Sequence, residues 1–472
     1  MFIADYEKKT GEYYVFGRQI NASANPCLVN ESIKSFWKGF CCQSSEIEIT
    51  AVNDLSFQIG NAHKPMLDGN QYAVNVEKTG LCITGDSEKG LINGFMTLLH
   101  KIKTKMITER EAVFEIPCGV FKEKPLIPNQ MVHFCVFPET RLWEIERFIR
   151  FCTALKYSHI VLEFWGMLKY DCLKELGWSF AYSKEQLRPL ITMANELGIE
   201  IIPMFNHWGH ASGSRSIYGK HVVLDQNPAL QPLFGDDGWT WDIQNPDTLK
   251  LLRNIREELM DLCGEGKYFH LGCDEAYNFE ITTENYTVLT DYLNGIAAEL
   301  AKVGRRPIIW NDMLIFNRDT FNKNNPYGVS CKNEELEKCL LADLDRNIII
   351  ADAQYYVTET PVETALISDN AGFDTLLCPW HRFCGNSVTP CVETAAEYDL
   401  FGVMHTTWHT LSIGMPDVAR AAFHIWNSPG KPEPPHTFFD TNTAKIMRKV
   451  YPVNGDYEKA GWSKKQVGDM LR

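Results

Sequence analysis

His270-Leu271-Gly272-Cys273-Asp274-Glu275 sets two acids side by side directly after an apolar run, Tyr268 to Leu271. As a barrel strand, that run carries both carboxylates to the C-terminal mouth, where barrel enzymes do their chemistry. Neighbouring side chains of a regular strand point to opposite faces. The two acids therefore serve one site only if the strand is already breaking into a loop there. An isolated Asp-Glu pair also reads as a solvated helix start, where acids suit the dipole. The flanking His270 and Gly272, together with the rest of the chain, favour the site.

Working outward, apolar strand-like runs alternate with amphipathic helices from about residue 130. The strands expected are Met131–Val136, His159–Phe164, Ile199–Phe205, Tyr268–Leu271, Pro307–Trp310, Asn347–Ala353, Thr375–Pro379 and Phe401–Thr406. Leu142, Ile145, Ile149 and Cys152 share one helical face. Ser183 and Gln186 form a capping-box pattern, with Gly198 at that helix's end. Asn245 and Pro246 open a helix running through Leu262. Strands alternating with helices imply a parallel sheet, and eight such units over about 300 residues imply a (β/α)8 TIM barrel. A doubly wound sheet is the competitor, but neither GxGxxG nor a P-loop accompanies any strand. The expected fold class is α/β.

Before the barrel, residues 1–125 read as a small α+β domain. Glu46–Ile49 and Tyr72–Val76 alternate as strands do, and Gly90–Leu99 has helical spacing. Pro117, Pro125 and Pro128 are expected to mark its exit. The barrel is expected over 126–430. Residues 431–472 read as a helical tail packed on it.

A chain of 472 residues exceeds the size at which one core usually stops growing. A hydrophobic content of 45% suits a buried globular enzyme rather than a disordered chain. Sixty acids against 46 bases leave a net charge of -14, which argues against nucleic acid or an anionic membrane as a partner. The 15 cysteines form no paired framework, and many sit inside apolar runs as reduced, buried side chains. The N-terminal stretch lacks a signal-peptide pattern, and no apolar run reaches the roughly 18 residues of a membrane span. A cytoplasmic location is the expectation. Barrels of this kind often pair, so a homodimer is allowed.

The expected strand ends share a chemistry. Strand three ends in Asn206-His207-Trp208-Gly209-His210, strand five in Trp310-Asn311-Asp312, and strand six in Gln354-Tyr355-Tyr356. Strands seven and eight end in Pro379-Trp380-His381 and Thr407-Trp408-His409. Aromatic walls bury the C–H faces of a pyranose, and carboxylates beside them suit its hydroxyls, so the set suggests a sugar site. A metal reading competes: His207 and His210, with His270 and Asp274, can be written as a ligand set. Spacing of i, i+3 at a strand end does not bring both imidazoles to one face, and His270 reads as a hydrogen-bonded structural histidine. The site is expected to need neither metal nor organic cofactor.

These residues resemble glycoside hydrolase family 20, the β-N-acetylhexosaminidases. The family hallmark His-x-Gly-x-Asp-Glu is matched by His270 to Glu275, and Gly209-His210-Ala211 is similar to the family's Gly-His-Ala. His-Leu-Gly-Cys-Asp-Glu-x-Tyr together with Ile309–Leu314 looks most like the hexosaminidase-D-like branch. Gly80–Ile83 and Gly90–Leu99 resemble the small domain that precedes the family's barrel. The resemblance implies a retaining, exo-acting enzyme in which the substrate's 2-acetamido oxygen attacks the anomeric carbon and forms an oxazolinium ion. By the same resemblance, Asp274 holds the acetamido N–H in its ionised form. Glu275, raised by burial, protonates the leaving oxygen and then deprotonates water. Tyr356, or failing it Tyr355, donates to the acetamido carbonyl. Trp310, Trp380 and Trp408 wall the sugar, Asp312 joins the substrate site, and His210 pairs with an acid from strand two, for which Glu163 is the candidate.

Two departures stand out. Where the family carries Arg-Gly near strand one, this chain has Gln130 to Phe134, and where it carries Glu after the strand-eight Trp, this chain has Thr410. Both lost groups read distal hydroxyls. Gln130, His133, His381, His409 and Arg382 are the candidates to compensate, and a galacto-configured, modified or sulfated sugar is allowed. The rival functions are a catalytically weak sugar-binding barrel and a metal-dependent barrel hydrolase.

Overall fold

The computed structural model describes residues 5–23, 30–41, 45–49, 54–59, 70–106, 112–212, 223–236, 238–277, 279–380, 387–408, 411–427 and 433–450. Within the N-terminal region, eight strands form one mixed sheet. They are β1 (Asp5–Phe16), β2 (Gln19–Ala22), β3 (Glu46–Ile49), β4 (Leu55–Ile59), β5 (Tyr72–Glu77), β6 (Gly80–Gly85), β7 (Lys103–Met106) and β8 (Ala112–Glu123). Their order is β1-β8-β5-β6-β4-β2-β3, with β7 paired to β8. Helices α1 (Glu31–Phe40) and α2 (Glu88–Lys101) complete this α+β unit. Ser87 caps α2 by accepting from the Gly90 N–H, and Leu91, Phe95, Leu98 and Leu99 are fully buried on it. Each such side chain contributes roughly 1.5–3 kcal/mol of burial.

Pro117 does not mark the exit of this domain: it lies inside β8, opposite Tyr13 of β1. On its other flank β8 pairs with β7 through Ala112–Glu115 and with β5 through Gly119–Glu123. Pro117 falls in the gap between those two ladders, where no backbone donor is needed, and that is where a strand tolerates proline.

The barrel strands are β9 (Asn129–Cys135), β10 (His159–Glu163), β11 (Glu200–Met204), β12 (Tyr268–Gly272), β13 (Arg306–Trp310), β14 (Ile349–Asp352), β15 (Thr375–Leu377) and β16 (Gly402–His405). They pair in parallel and close, β16 returning to β9. The expected (β/α)8 TIM barrel and its preceding small domain are therefore present. Parallel strands covered on both faces read as continuous apolar runs, hence Ile201-Ile202, Ile308-Ile309 and Ile349-Ile350. Met131, Val161, Ile202, Ile308, Ile349 and Met404 fill the lumen.

Around the barrel lie α3 (Leu142–Ala154), α4 (Lys184–Glu196), α5 (Val223–Gln226), α6 (Pro246–Cys263), α7 (Thr287–Ala301), α8 (Glu334–Asp343), α9 (Glu363–Asn370), α10 (Val388–Glu397) and α11 (Leu411–Ile425). Ser183 and Gln186 close the capping box of α4, and Asn245 caps α6 with Pro246 in its first turn. Of the C-terminal tail, α12 (His436–Val450) is described, packing on α1, α3 and α11. No helix among the described residues is long and apolar enough to cross a membrane.

Gln130 is displaced from the role expected of it. It is the second residue of β9 and so lies at the N-terminal end of the barrel, opposite the mouth. Its amide donates to the Pro128 carbonyl at 2.7 Å, and it accepts from Asn70 Nδ2 at 3.0 Å. It ties the barrel floor to the small domain and does not reach a substrate at the mouth.

A buried ion pair also joins the two units. Lys156, just past α3, meets Glu123 of β8, donates to the Tyr72 hydroxyl at 2.9 Å and lies 4.1 Å from the Trp426 ring. Both charged groups are buried. Removing one partner strands the other, at a cost of about 3–5 kcal/mol. Glu123→Gln is expected to lower the urea midpoint accordingly, and Glu123→Leu with Lys156→Met is expected to recover most of the loss. An unchanged midpoint in the single variant would remove the pair from the interface's energetics.

Candidate active site

The acid-bearing strand breaks where the two carboxylates require it. Pairing between β12 and β13 shifts register between His270 and Gly272. Gly272, Cys273 and Glu275 then take φ of 67°, 70° and 53°. The two non-glycine residues each cost on the order of 1–3 kcal/mol in this region. Hydrogen bonds hold the turn. The Gly272 N–H donates to His270 Nδ1 at 3.0 Å, the Glu275 N–H to Asp312 Oδ2 at 2.9 Å, and Trp239 Nε1 to the Glu275 carbonyl at 2.8 Å. His270 is thus a structural histidine, its ring 4.6 Å from that of Trp310.

Two glycines make the turn possible for steric reasons. A Cβ on Gly272 would come within 2.6 Å of Asn206 Nδ2, and one on Gly209 would collide with the Asp274 carbonyl oxygen. The loop after β11 therefore lies directly on the acid turn. Through it, Asn206 Nδ2 donates to Asp274 Oδ1 at 2.7 Å. His210, itself at φ 53°, places Nε2 3.3 Å from Asp274 Oδ2 and 3.4 Å from Glu275 Oε2. One imidazole nitrogen thus lies within reach of both carboxylates, and the adjacent acids share one space.

His210 does not pair with Glu163. Glu163, at the end of β10, meets His133 Nε2 at 3.1 Å inside the barrel. His210 arrives from the loop after β11 and faces the acid turn, with its ring 4.4 Å from Trp239. The His207–His210–His270–Asp274 ligand set also does not assemble. His207 Nδ1 is bound to the Phe205 carbonyl at 2.6 Å, and its ring lies edge-on to Phe205 and Phe269. His270 is engaged with its own turn.

The acids differ in exposure. Asp274 is buried, whereas the Glu275 side chain is 45% exposed, so the protein alone does not bury Glu275 as the sequence suggested. The third acid, Asp312, lies behind them at the end of β13. Burial first, and the charge of Asp274 second, hold its carboxyl well above the usual range.

Aromatic groups enclose the other side. Trp310 is 2% exposed and forms part of the floor, its ring 5.8 Å from that of Trp408. Trp408 Nε1 donates to the Tyr355 hydroxyl at 2.9 Å, and Tyr355 meets Trp380 edge-on at 5.5 Å. Burial pushes Tyr355 well above the ordinary tyrosine value, so its hydroxyl keeps its proton and can donate it. Tyr356 is 54% exposed. His381, Arg382, His409 and Thr410 lie outside the described residues. Asn206 and Trp239 escaped the sequence reading as functional groups. Asn206 heads the His207–His210 stretch and offered a weak signal, but Trp239 sits in a long loop with none.

A family model described as "Glycosyl hydrolase family 20, catalytic domain" matches residues 162–410, just over half of the chain. A lacto-N-biosidase of Bifidobacterium bifidum is 23% identical over 309 residues, covering 60% of this chain and 26% of that protein. A beta-hexosaminidase of Porphyromonas gingivalis is 22% identical over 312 residues, covering 55% of this chain and 39% of its own length. Bovine hexosaminidase D matches a shorter stretch, 22% identity over 175 residues, covering 34% of this chain and 48% of that protein, so the likeness to that branch is weak. The chain thus spans about a quarter to about half of these relatives. Among solved structures, the Flavobacterium johnsoniae chitobiase superposes with a TM-score of 0.69 at 15% identity, over 100% of this chain and 74% of its own. The Bacteroides fragilis β-N-acetylhexosaminidase gives 0.67 at 16%, over 98% and 95%.

The raised carboxyl of Asp312 makes a stability prediction. A folded-state value above the ordinary 3.8 means that the native protein holds this proton more tightly than the unfolded chain does. Its contribution is present below pH 3.8 and is lost as pH rises through the raised value. The difference in Tm between wild type and Asp312→Asn is therefore expected to move against the wild type from about pH 4 upward. A pH-independent difference in calorimetric scans would contradict the assignment.

Proposed function

Because the chain belongs to glycosyl hydrolase family 20, we propose that it is a retaining exo-β-N-acetylhexosaminidase working by substrate assistance on a terminal N-acetylhexosamine. The observation carrying this reading is His210 Nε2 lying between the carboxylates of Asp274 and Glu275. Two acids sharing one space can divide the labour of a 2-acetamido substrate. The solved Vibrio harveyi exo-β-N-acetylglucosaminidase complexed with N-acetylglucosamine, with a TM-score of 0.66, is consistent with such a sugar.

Asp274 is the acid suited to the acetamido group. Asn206 occupies one of its oxygens, and His210 faces the other. In this reading it accepts the acetamido N–H and offsets the positive charge of the oxazolinium ion as the carbonyl oxygen attacks the anomeric carbon. Tyr355 rather than Tyr356 donates to that carbonyl oxygen. Its hydroxyl accepts from Trp408 and retains its own proton for the substrate. Trp310, Trp380 and Trp408 pack the acetamido methyl and the sugar's C–H face.

Glu275 protonates the leaving oxygen and then takes a proton from the water that opens the oxazolinium ring. Its half-exposed carboxylate sits at the mouth, where an aglycone leaves, and a bound pyranose would supply the covering the protein leaves out. Asp312 acts one step removed, positioning Glu275 through its backbone N–H.

The second reading, a sugar-binding barrel of low activity, is favoured only by the placement of Gln130 at the barrel's far end. Assays on nitrophenyl N-acetylglucosaminide and N-acetylgalactosaminide separate the two. Glu275→Gln and Asp274→Asn are each expected to lower kcat by about 10²- to 10⁴-fold with Tm nearly unchanged. A thiazoline mimic of the oxazolinium ion is expected to inhibit competitively. Full turnover in either variant, or indifference to the thiazoline, would falsify the proposal. Tyr355→Phe is expected to slow turnover more than Tyr356→Phe does, and the reverse ranking would return the carbonyl contact to Tyr356.

A further inference from the structure

We propose that the barrel holds a second site, a buried transition-metal centre formed by His133, Cys135 and Glu163. The three side chains converge from two neighbouring strands. His133 and Cys135 alternate along β9 and so share its inward face, and Glu163 ends β10 beside them, in register with Cys135. All three are buried. Among the described residues they are the group whose donor atoms all lie within 4.8 Å of one another.

The spacing is that of a coordination shell. With zinc bonds of about 2.0–2.1 Å to nitrogen, 2.0–2.2 Å to oxygen and 2.3 Å to sulfur, a tetrahedron has N···O edges of about 3.3 Å and edges to sulfur of about 3.5 Å. Here His133 Nε2 is 3.1 Å from Glu163 Oε2, and Cys135 Sγ lies 3.6 Å and 3.4 Å from those two atoms. A metal of the usual radius fits at the centre with displacements of a few tenths of an ångström.

Charge points the same way. A divalent ion with one thiolate, one carboxylate and one neutral imidazole sums to zero, the only net charge that a wholly buried site holds cheaply. Binding releases the Cys135 proton and leaves the ring proton of His133 on Nδ1, so loading is favoured by rising pH. The mixed nitrogen, sulfur and oxygen donors select zinc over magnesium or calcium. Three protein donors leave a fourth position for water or another small ligand.

The site is separate from the His210–Asp274–Glu275 group but borders the sugar wall. The His133 ring meets Trp408 edge-on at 4.7 Å, and the His133 carbonyl accepts from Thr407 Oγ1 at 2.8 Å. A metal here would hold the ends of β9 and β10 behind Trp408, a positioning role rather than a step in hydrolysis. The inference does not depend on the proposed activity.

The test uses the full chain, stripped with a chelator and reloaded with zinc or cobalt alone. Wild type is expected to retain about one zinc per chain after dialysis, with a Tm higher than the stripped form. The cobalt form is expected to show a thiolate-to-metal charge-transfer band in the near ultraviolet. Cys135→Ser is expected to lose that band, and His133→Ala to lose the bound zinc. Because a variant can misfold, the wild-type cobalt spectrum is read independently. Absence of the band in the wild type, or zinc retained equally by both folded variants, would overturn the proposal. Hydrolase activity can fail or persist without affecting either readout.

Discussion

The chain turns left-handed three times between residues 272 and 275, and the candidate site depends on that reversal. A straight β12 would send Asp274 and Glu275 to opposite faces of the sheet. Neighbouring elements hold the turn: Asp312, just past β13, accepts from the Glu275 N–H, Trp239 in the loop before α6 donates to the Glu275 carbonyl, and the loop after β11 brings Asn206 and His210 to Asp274. These contacts join groups brought together by the pairing of β11, β12 and β13, so the site is a product of tertiary packing rather than of the motif alone.

The same logic explains the glycines of the motif. Gly272 is required less for its own freedom than for the room it leaves to the Asn206 amide, and Gly209 for the room it leaves to the backbone of Asp274. Close approach of two loops puts donors on the buried acid and leaves the second acid open to the mouth. Two neighbouring carboxylates thereby acquire different surroundings, and such a difference is what lets a pair of like residues carry different roles.

Much of the architecture was legible in the sequence because it rests on local rules. The apolar runs of the eight strands, the capping box of Ser183 and Gln186, and the Asn245-Pro246 helix start are written in adjacent residues. Misreadings came where a residue's meaning depends on distant partners. Pro117 reads as a breaker, yet β7 and β5 leave a gap beside it. Gln130 occupies a family position, yet the polarity of its strand puts it at the barrel floor. Tyr355 and Tyr356 are indistinguishable in sequence, whereas in the fold Tyr355 meets Trp408 and Trp380 and Tyr356 is exposed. Glu163 was expected beside His210, but His133 on the neighbouring strand is nearer.

By itself the sequence determined that a parallel barrel would form and that two acids would stand at the end of its fourth strand, because periodicity and residue type act over a few neighbouring positions. The tertiary structure alone decided which groups meet those acids. His210, Asn206, Trp239 and Asp312 come from three different loops, and only the packing of β11, β12 and β13 sets the distances between them. It likewise decided that His133, Cys135 and Glu163 share one point, since β9 and β10 must pair in register before their inward side chains can converge.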